Sequence, residues 1–313
     1  VVGIKWKNCK NLASCQGVKA MKELSSEKNA KYQKIYKKNL KKYKNSKVEL
    51  DFLEVWVGKT CNLRCRDCLH MIPYIKQKKL EVSRLIGDCK RLLELCSINY
   101  FSIAGGEPFC CKNLFELIDF VTESADLKDG KIVTNGTVVP EERTIDALRR
   151  MKGKLEIRVD VYPGQADKTA KFIKILEENE IRNHIQFYRG DKKSNWKHVS
   201  SPMQMEICES MSEMIYSDCT VRHCYTMCDG ELTACPRGIT TEEVFSLEKN
   251  PFEHVNIREL KNDVEARARI ATCFEDSLFK DYCKYCLGLT AFNPYYVVPG
   301  VQVKSNEYEK FEI

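Results

Sequence analysis

From residue 48 onward, short apolar segments that fit strands alternate with amphipathic segments that fit helices. Strands joined by helices of this length form right-handed βαβ crossovers and a mostly parallel sheet. Five or six such units fall short of the eight that close a barrel, so we expect an α/β fold with an open, partial parallel β/α barrel. The predicted strands span 48–58, 100–106, 131–136, 155–162 and 181–189, and the predicted helices span 80–96, 113–123, 141–151, 166–180 and 203–216.

Cysteine is the most informative residue type, because the chain has 17 among 313 residues, an odd number and too few for a disulfide scaffold. In a reduced, intracellular protein such thiols indicate metal binding or catalysis. Cys61, Cys65 and Cys68 form a CxxxCxxC pattern in the loop after the first strand. Three thiolates there could hold three irons of a cubane cluster and leave the fourth open. The alternative is a zinc loop completed by a distant residue such as His70.

The second strand ends in Gly105-Gly106-Glu107-Pro108. Two successive glycines would let the backbone approach a ligand closely. The glutamate and the exposed backbone groups could hold an ammonium group.

This pair of motifs resembles the radical S-adenosylmethionine (radical SAM) superfamily over about residues 48–215. The resemblance implies that Cys61, Cys65 and Cys68 ligate a [4Fe–4S] cluster whose open iron is chelated by the methionine part of S-adenosylmethionine. It implies that residues 105–108 hold the amino group of that cofactor. The chemistry implied is hydrogen abstraction from unactivated carbon by a 5′-deoxyadenosyl radical.

Three further residues are expected at the cofactor from the same resemblance. Asn135 ends the third strand, and Asp160 lies on the fourth, at positions where family members place polar contacts. Asp67 stands before the third cysteine, where the family usually has an aromatic residue near the adenine. This departure concerns the adenine contact and not the cluster.

A second group of thiols begins at Cys219 and continues through Cys224, Cys228 and Cys235 to the CxxC of Cys283 and Cys286. Asp229-Gly230 predicts a two-residue β-hairpin turn between strands over 225–228 and 231–235. In that register Cys224 faces Cys235 with their Cβ atoms about 5 Å apart. A four-cysteine site therefore assembles, and its geometry would also suit structural zinc.

The spacing of these cysteines is similar to the short auxiliary-cluster extension called a twitch domain, a smaller relative of the SPASM domain. The similarity implies one auxiliary cluster, a second [4Fe–4S], with Cys235, Cys283 and Cys286 as ligands. Its fourth ligand is either Cys219, which the family spacing favours, or Cys224, which the hairpin register favours. Of these two residues, we favour Cys224 as the fourth ligand. Four thiolates would leave no open iron, which favours electron transfer.

Other residues carry weaker signals. Cys110, Cys111 and Cys208 are candidate catalytic hydrogen donors to a substrate radical, as an epimerase would need. Cys89 and Cys96 lie on the apolar face of a helix and are expected in the core. Residues that end or follow late strands are candidates for the substrate pocket by position alone. They are Tyr162, Tyr188, Arg189 and Trp196.

Charge is concentrated at the start of the chain. Residues 1–50 hold 14 lysines, no arginine and three acids, which gives +11, so the net charge of +7 leaves −4 for the remainder. The segment 17–46 predicts a helix with one apolar stripe, which we expect to pack on the body and to solvate its lysines. The predicted divisions are a basic helical segment over 1–47, the partial barrel over 48–217, and the auxiliary-cluster domain over 218–313.

Two reaction classes compete. The first is dehydrogenation or epimerisation of a sugar or other small polyol with the auxiliary cluster in electron transfer, which we favour because residues 1–50 hold no peptide-recognition module. The second is maturation of a ribosomal peptide by crosslinking or epimerisation. A non-enzymatic alternative is an iron–sulfur or zinc binding protein.

Partners and setting follow from the same chemistry. We expect an oxygen-sensitive, anaerobic enzyme that takes electrons from a one-electron donor such as flavodoxin or ferredoxin. Nothing predicts a nucleic-acid partner. No leader and no apolar run of membrane-spanning length is found, so a cytoplasmic location is expected.

Overall fold

The computed structural model describes residues 15–151, 153–191, 194–199 and 206–303, with side chains from residue 27 onward. Twelve strands lie in these ranges: β1 (Val48–Leu50), β2 (Leu53–Trp56), β3 (Cys96–Ile98), β4 (Phe101–Ala104), β5 (Gly130–Thr134), β6 (Leu155–Val161), β7 (Asn183–Phe187), β8 (Trp196–Lys197), β9 (Tyr225–Cys228), β10 (Glu231–Thr233), β11 (Val255–Asn256) and β12 (Tyr296–Val297). The helices there are α1 (Cys15–Lys42), α2 (Val82–Leu95), α3 (Leu114–Glu123), α4 (Glu142–Arg150), α5 (Ala166–Glu178), α6 (Glu209–Asp218), α7 (Thr241–Phe245) and α8 (Asp263–Cys273).

The central sheet has eight strands in the order β11-β10-β9-β2-β4-β5-β6-β7. The run from β9 through β2, β4, β5 and β6 to β7 is parallel throughout. Within the part of the chain that the structure describes, β11 and β7 do not pair with each other. The prediction of an α/β fold with an open, partial barrel is therefore confirmed.

The first predicted strand, 48–58, is two strands. β1 pairs with β3 in a separate two-stranded sheet, and only β2 enters the central sheet. The break falls at Asp51, which is exposed and accepts a hydrogen bond from the Asn99 amide at 2.9 Å. An unpaired carboxylate would be costly inside a buried strand, so the chain bends there and keeps Asp51 in solvent.

The predicted hairpin is present as β9 and β10, with Cys228 opposite Glu231 and Thr226 opposite Thr233. Asp229 and Gly230 both have positive φ, at 52° and 81°, as a type I′ turn requires. β9 also pairs in parallel with β2, from Leu53 opposite Tyr225 to Trp56 opposite Cys228. The sheet thus continues across the predicted division at 217/218, which itself remains a prediction.

One apolar core lies between the sheet and the helices that cover its outer face. Cys89 on α2 and Cys96 at the start of β3 are 2 % and 1 % exposed, so the prediction that they pack in the core is confirmed. None of the helices in the described ranges is long and apolar enough to cross a membrane.

Helix α1 packs against α8 near the far end of the sheet. Tyr32 is fully buried there, and Lys28 forms ion pairs of 2.7 Å with Glu253 and Asp281. The lysines of its outer face are exposed, as expected for a helix that packs one stripe on the body: Lys31, Lys34, Lys37, Lys38, Lys41 and Lys42.

Candidate active site

A cleft of about 1440 Å³ opens at the carboxyl ends of the parallel strands. It is lined by the loop after β2, by the glycine turn after β4, by the end of β5 and by side chains of β6. Parallel sheets present their functional side chains at this edge, because the loops that follow successive strands meet there. The cleft therefore gathers most of the residues that the sequence singles out.

Cys61, Cys65 and Cys68, here called the three-thiol loop, all line the cleft. The sulfur of Cys61 accepts a hydrogen bond from the Leu63 amide at 3.4 Å, and that of Cys65 accepts one from the Gln302 side chain at 3.4 Å. Burial raises the pKa of all three thiols, that of Cys65 to about 12. Thiolates in this place need a strong positive partner, which a metal centre supplies, so the donor set fits such a group.

Residues 301–303 run antiparallel to this loop. The Arg66 amide donates to the Val301 carbonyl and the Val303 amide to the Arg64 carbonyl, both at 2.8 Å. The Gln302 side chain accepts from the Arg64 amide at 2.6 Å while it donates to Cys65. This contact spans more than 230 residues, and no spacing in the sequence could have indicated it.

The two glycines of the turn after β4 make room for the three-thiol loop itself. A Cβ on Gly106 would stand 2.1 Å from the Thr60 carbonyl oxygen, and one on Gly105 would stand 2.6 Å from the Gly58 carbonyl oxygen. Backbone hydrogen bonds join the same segments, from Gly106 to Gly58 at 3.0 Å and from Glu107 to Thr60 at 2.9 Å. The close approach that we expected toward a ligand is made toward backbone, and it fixes the two motifs side by side.

Glu107 is 2 % exposed and accepts three hydrogen bonds. These come from the Thr134 hydroxyl at 2.6 Å, the Asn135 amide at 2.8 Å and the Phe109 amide at 3.1 Å. Burial raises its pKa to about 7, against the opposite effect of these donors. A cation bound in the cleft would complete the charge balance of this carboxylate, as an ammonium group could.

His70 connects the three-thiol loop to the glycine turn. Its Nδ1 lies 2.8 Å from the Gly105 carbonyl oxygen and its Nε2 lies 3.5 Å from the Glu54 carboxylate. Its ring packs against Trp56 at 4.6 Å between centroids. Both ring nitrogens thus face protein oxygens, an arrangement that suits a brace between two motifs better than the zinc ligand considered from the sequence.

Asp67 and Asn135, which the sequence predicts at the cofactor, both have polar protein partners. Asp67 lines the cleft between Arg66, at 3.1 Å, and Nδ1 of His198, at 3.2 Å. Burial acts to raise the pKa of Asp67, but these two neighbours lower it below its usual value. Asn135 donates to the Asn62 side chain at 3.1 Å, and its amide nitrogen lies 4.0 Å from the Cys61 sulfur.

The opposite wall of the cleft carries an ion pair and an aromatic group. Arg158 donates to Asp160 at 2.9 Å, and burial raises the pKa of Asp160 in spite of this partner. Tyr162, Tyr188 and Trp196 pack against one another with centroids 5.1 to 6.2 Å apart, and all three line the cleft. Arg189, predicted with them, is not among the residues that line it.

The chain matches curated GTP 3′,8-cyclases in sequence. It is 31 % identical to that of Trichodesmium erythraeum (strain IMS101) over 162 residues, which are 50 % of this chain and 47 % of the relative. It is 29 % identical to that of Alkaliphilus oremlandii (strain OhILAs) over 121 residues, which are 38 % of this chain and 37 % of the relative. The chain thus spans about half or less of the length of these relatives. These matches support the resemblance to the radical SAM superfamily that the three-thiol loop and the glycine turn carry.

No family model matches the chain. Among solved structures, radical SAM neighbours include BtrN in complex with AdoMet and 2-DOIA, with a TM-score of 0.49 and 17 % identity over 80 % of this chain and all of that one. Another is Streptococcus suis SuiB bound to precursor peptide SuiA, with a TM-score of 0.39 and 16 % identity over 50 % of this chain and 37 % of that one. At these scores neither likeness informs the function of this chain.

A second, smaller cavity adjoins the cleft. Cys219, Cys235, Cys283 and Cys286 all line it, and we call it the four-thiol cavity. Leu69, Val199, Val221 and Leu289 line both spaces and form the wall between them. Burial raises the pKa of Cys219, Cys235 and Cys283, as it does in the three-thiol loop.

Cys224 lines the cleft and is not among the residues that line the four-thiol cavity. The hairpin register places Cys224 opposite Cys235 by extension, as expected, but the structure directs it to the other side of the wall. Cys228 is 3 % exposed and packs with Trp56 and Ala104. The arrangement therefore favours Cys219 over Cys224 as the partner of the other three thiols.

The three candidate hydrogen donors are not among the residues that line the cleft. Cys110 and Cys111 line a separate cavity of about 230 Å³ beside Lys79. Cys208 is exposed at the start of α6, with its sulfur 3.6 Å from the Ser210 hydroxyl. Among the described residues, the cysteine that lines the cleft in addition to the three-thiol loop is Cys224, which position along the chain did not indicate.

The thiols border the two spaces and do not converge on single points. Across the described ranges, no three His, Cys, Asp or Glu side chains stand together so as to hold a metal ion. Donors distributed around a cavity fit a group of several metal atoms better than one zinc ion, whose four ligands all lie about 2.0 to 2.3 Å from one centre.

Proposed function

We propose that this chain is a radical SAM dehydrogenase of a small polar substrate such as a sugar or polyol, with two [4Fe–4S] clusters. The observation that supports this most is the apolar wall shared by the cleft and the four-thiol cavity. It would hold a redox centre next to the substrate without exposing that centre to the substrate.

Cys61, Cys65 and Cys68 would hold the first cluster, and Gly105, Gly106, Glu107 and Pro108 would hold the amino end of S-adenosylmethionine beside it. Glu107 would face that ammonium group, and hydrogen bonds from Thr134 and Asn135 hold the Glu107 carboxylate in position. Asp67, Asn135 and Asp160 line the remainder of the cleft near the cofactor. When bound, cluster and cofactor supply a carbon radical that can abstract hydrogen.

The substrate would lie between the three-thiol loop and the wall formed by Tyr162, Tyr188 and Trp196. Sugars and polyols bind to such surfaces because a ring face packs on aromatic side chains while hydroxyl groups reach charged ones. Arg158, Asp160 and Lys131 supply charged groups on the same side. Asp160 would accept the proton that a carbinol loses.

Cys219, Cys235, Cys283 and Cys286 would hold the auxiliary cluster, with Cys219 preferred to Cys224 for the reason of position given above. After one hydrogen atom leaves a carbinol carbon, one electron and one proton must still depart before a carbonyl forms. A cluster in the four-thiol cavity would accept this electron, and the apolar wall that this cavity shares with the cleft supports that role. A flavodoxin or ferredoxin would supply the electron that starts each cycle.

Anaerobic reconstitution with iron and sulfide tests the proposal. We expect about seven to eight irons per chain, and release of 5′-deoxyadenosine from S-adenosylmethionine with dithionite. Cys208→Ala, which removes an exposed thiol outside both spaces, is the matched control and should behave as the parent chain does. Zinc bound in place of iron, with no 5′-deoxyadenosine, would overturn the proposal.

Product analysis then separates the reactions. For dehydrogenation, mass spectrometry should show a product that is two mass units lighter than the substrate. A product with the mass of the substrate in H2O that gains one deuterium in D2O would indicate epimerisation, and a crosslinked peptide would indicate a peptide maturase.

A further inference from the structure

The segment after β10 places an arginine at the inner end of the four-thiol cavity. Arg237 follows Cys235 in a short 3₁₀ helix, Pro236–Ile239, and is 2 % exposed. One of its guanidinium nitrogens donates to the Tyr285 carbonyl at 3.1 Å. Its Nε and Nη1 are buried and have no hydrogen-bond partner. Buried donors left unpaired are costly and rare, so this side chain is built for a partner that protein atoms do not supply.

The four-thiol cavity around Arg237 contains further buried polar groups without a hydrogen-bond partner. The hydroxyl groups of Tyr216 and Tyr282, which line the same space, are also buried without a partner. None of the described residues that line it is Asp or Glu, so the guanidinium has no carboxylate counter-ion there. A permanent cation and two further donors thus surround a space bordered by four thiols. An iron–sulfur cluster on four thiolates carries net negative charge and sulfur acceptors, which are the two properties missing from the cavity.

We propose that Arg237 is a positioning residue for the auxiliary redox centre: its guanidinium is the buried counter-charge of the auxiliary cluster. This inference rests on the proposed function. A nearby cation stabilises the more negative, reduced form of a cluster, and hydrogen bonds to its sulfurs act in the same direction. Arg237 therefore raises the reduction potential of the auxiliary cluster, which makes that cluster a better acceptor of the substrate electron.

The test compares Arg237→Gln, which removes the charge, with Arg237→Lys, which keeps it. Iron content and potentiometric titration followed by electron paramagnetic resonance are measured on each reconstituted chain. Arg143→Gln, an exposed arginine on α4, serves as the matched control. We expect Arg237→Gln to change the one-electron equilibrium constant of the auxiliary cluster about tenfold, a shift of about 59 mV to more negative potential. Arg237→Lys should recover most of this shift.

The outcomes are distinct. Loss of the auxiliary irons in Arg237→Gln with retention in Arg237→Lys would also support the inference, because it shows that the charge is needed to hold the anionic group. Unchanged potentials in Arg237→Gln, or equal behaviour of Gln and Lys, would overturn the inference and leave the proposed function standing. A parent chain that binds zinc and no iron would overturn both.

The tyrosines provide a route that does not depend on the arginine variants folding. Tyr282→Phe removes one hydroxyl and keeps the ring. We expect a shift of the auxiliary cluster to more negative potential, smaller than that for Arg237→Gln, with unchanged iron content. A loaded Tyr282→Phe chain with the potential of the parent would count against hydrogen bonds from the protein to the cluster.

Discussion

The three-thiol loop and the four-thiol cavity lie on two sides of the same wall, but the chain builds them in different ways. The loop takes its three cysteines from eight consecutive residues at the end of one strand. The cavity takes its four from the end of α6, the end of the hairpin and a short 3₁₀ helix more than 45 residues later. The loop faces a wide cleft with polar side chains, whereas the cavity is enclosed by apolar and aromatic side chains.

This difference predicts different dependence on the rest of the fold. The loop needs only one strand end and the backbone of the glycine turn to bring its thiols together. The cavity needs three distant segments in their final packing, so it should be the first of the two to be lost when the fold is weakened. Variants that alter one of the two thiol sites, measured at both sites, test this difference.

The largest expected effect separates the two sites completely. Cys65→Ala should abolish 5′-deoxyadenosine formation, because the first cluster loses a ligand, and should leave about four irons on the auxiliary site. Cys283→Ala should also keep about four irons and should still cleave S-adenosylmethionine, but without forming the dehydrogenated product. Iron analysis and liquid chromatography of the reaction check both. A Cys283→Ala chain that still dehydrogenates its substrate would refute the electron-acceptor role of the auxiliary site.

Cys219→Ala and Cys224→Ala sharpen the assignment of the fourth thiol. Cys219→Ala should lower the iron content by about four per chain, because Cys219 lines the four-thiol cavity. Cys224→Ala should keep the full content, because Cys224 lines the cleft. The opposite result would assign Cys224, which the hairpin register favours, as the fourth ligand of the auxiliary cluster.

Glu107→Gln tests the cofactor side of the comparison. The amide keeps most of the volume but loses the negative charge that would face the ammonium group, so affinity for S-adenosylmethionine should fall at least about tenfold. Equilibrium dialysis on the reconstituted chain measures this, with Glu123→Gln on the exposed face of α3 as control. The auxiliary site should keep its iron, since Glu107 does not line it. Equal affinity in the parent and Glu107→Gln would show that Glu107 only braces Thr134 and Asn135.

His254 tests how far the auxiliary side depends on packing. It is buried between Glu231, at 2.6 Å from Nδ1, and Glu242, at 3.0 Å from Nε2, and so ties the hairpin to α7. Burial acts to lower the pKa of His254, but hydrogen bonds to the two carboxylates raise it to about 9. Because the folded pKa is raised, this stabilisation is fully present below pH 6.5 and is lost as the pH rises through about 9.

We therefore expect His254→Asn to lower the free energy of unfolding by about 3 kcal/mol at pH 6, because it leaves the buried Glu242 carboxylate without its cation and leaves Glu231 with Lys249 alone. The difference from the parent should shrink toward pH 9.5. Urea unfolding at several pH values measures it, and His223→Asn, which changes an exposed histidine, is the control. A difference that does not vary with pH would contradict the raised pKa.

The sequence predicts the local features of this molecule and misses those that depend on tertiary contact. Strand–helix alternation predicts the open parallel barrel, and Asp229-Gly230 predicts the hairpin, because both patterns act over a few residues. The pairing of β9 with β2 was not predicted, since a strand's neighbours depend on where the chain returns. Spacing along the hairpin placed Cys224 opposite Cys235 but could not show that the apolar wall separates them.

The same limit explains the other missed residues. Each of these residues is identified by a contact that is distant in the sequence. His70 contacts the Gly105 carbonyl, Arg237 lines the four-thiol cavity, and Gln302 donates to the Cys65 thiol. Their residue types are common, and nothing in their immediate sequence distinguishes them from surface side chains. The glycine turn was recognised, but the object that it approaches could be identified only from the packed backbone.

The parallel pairing of β9 with β2 also bears on motion. Trp56 opposite Cys228 ends a ladder that continues the barrel sheet into the hairpin, and Cys235 follows from that hairpin. Electron tunnelling falls off steeply with distance. This ladder ties the loop after β2 to the hairpin that leads to Cys235, so the two proposed centres would keep a separation that thermal bending changes little. Opening and closing around a substrate would then fall to the loops at the rim, and the rate of the internal electron step would stay constant through the cycle.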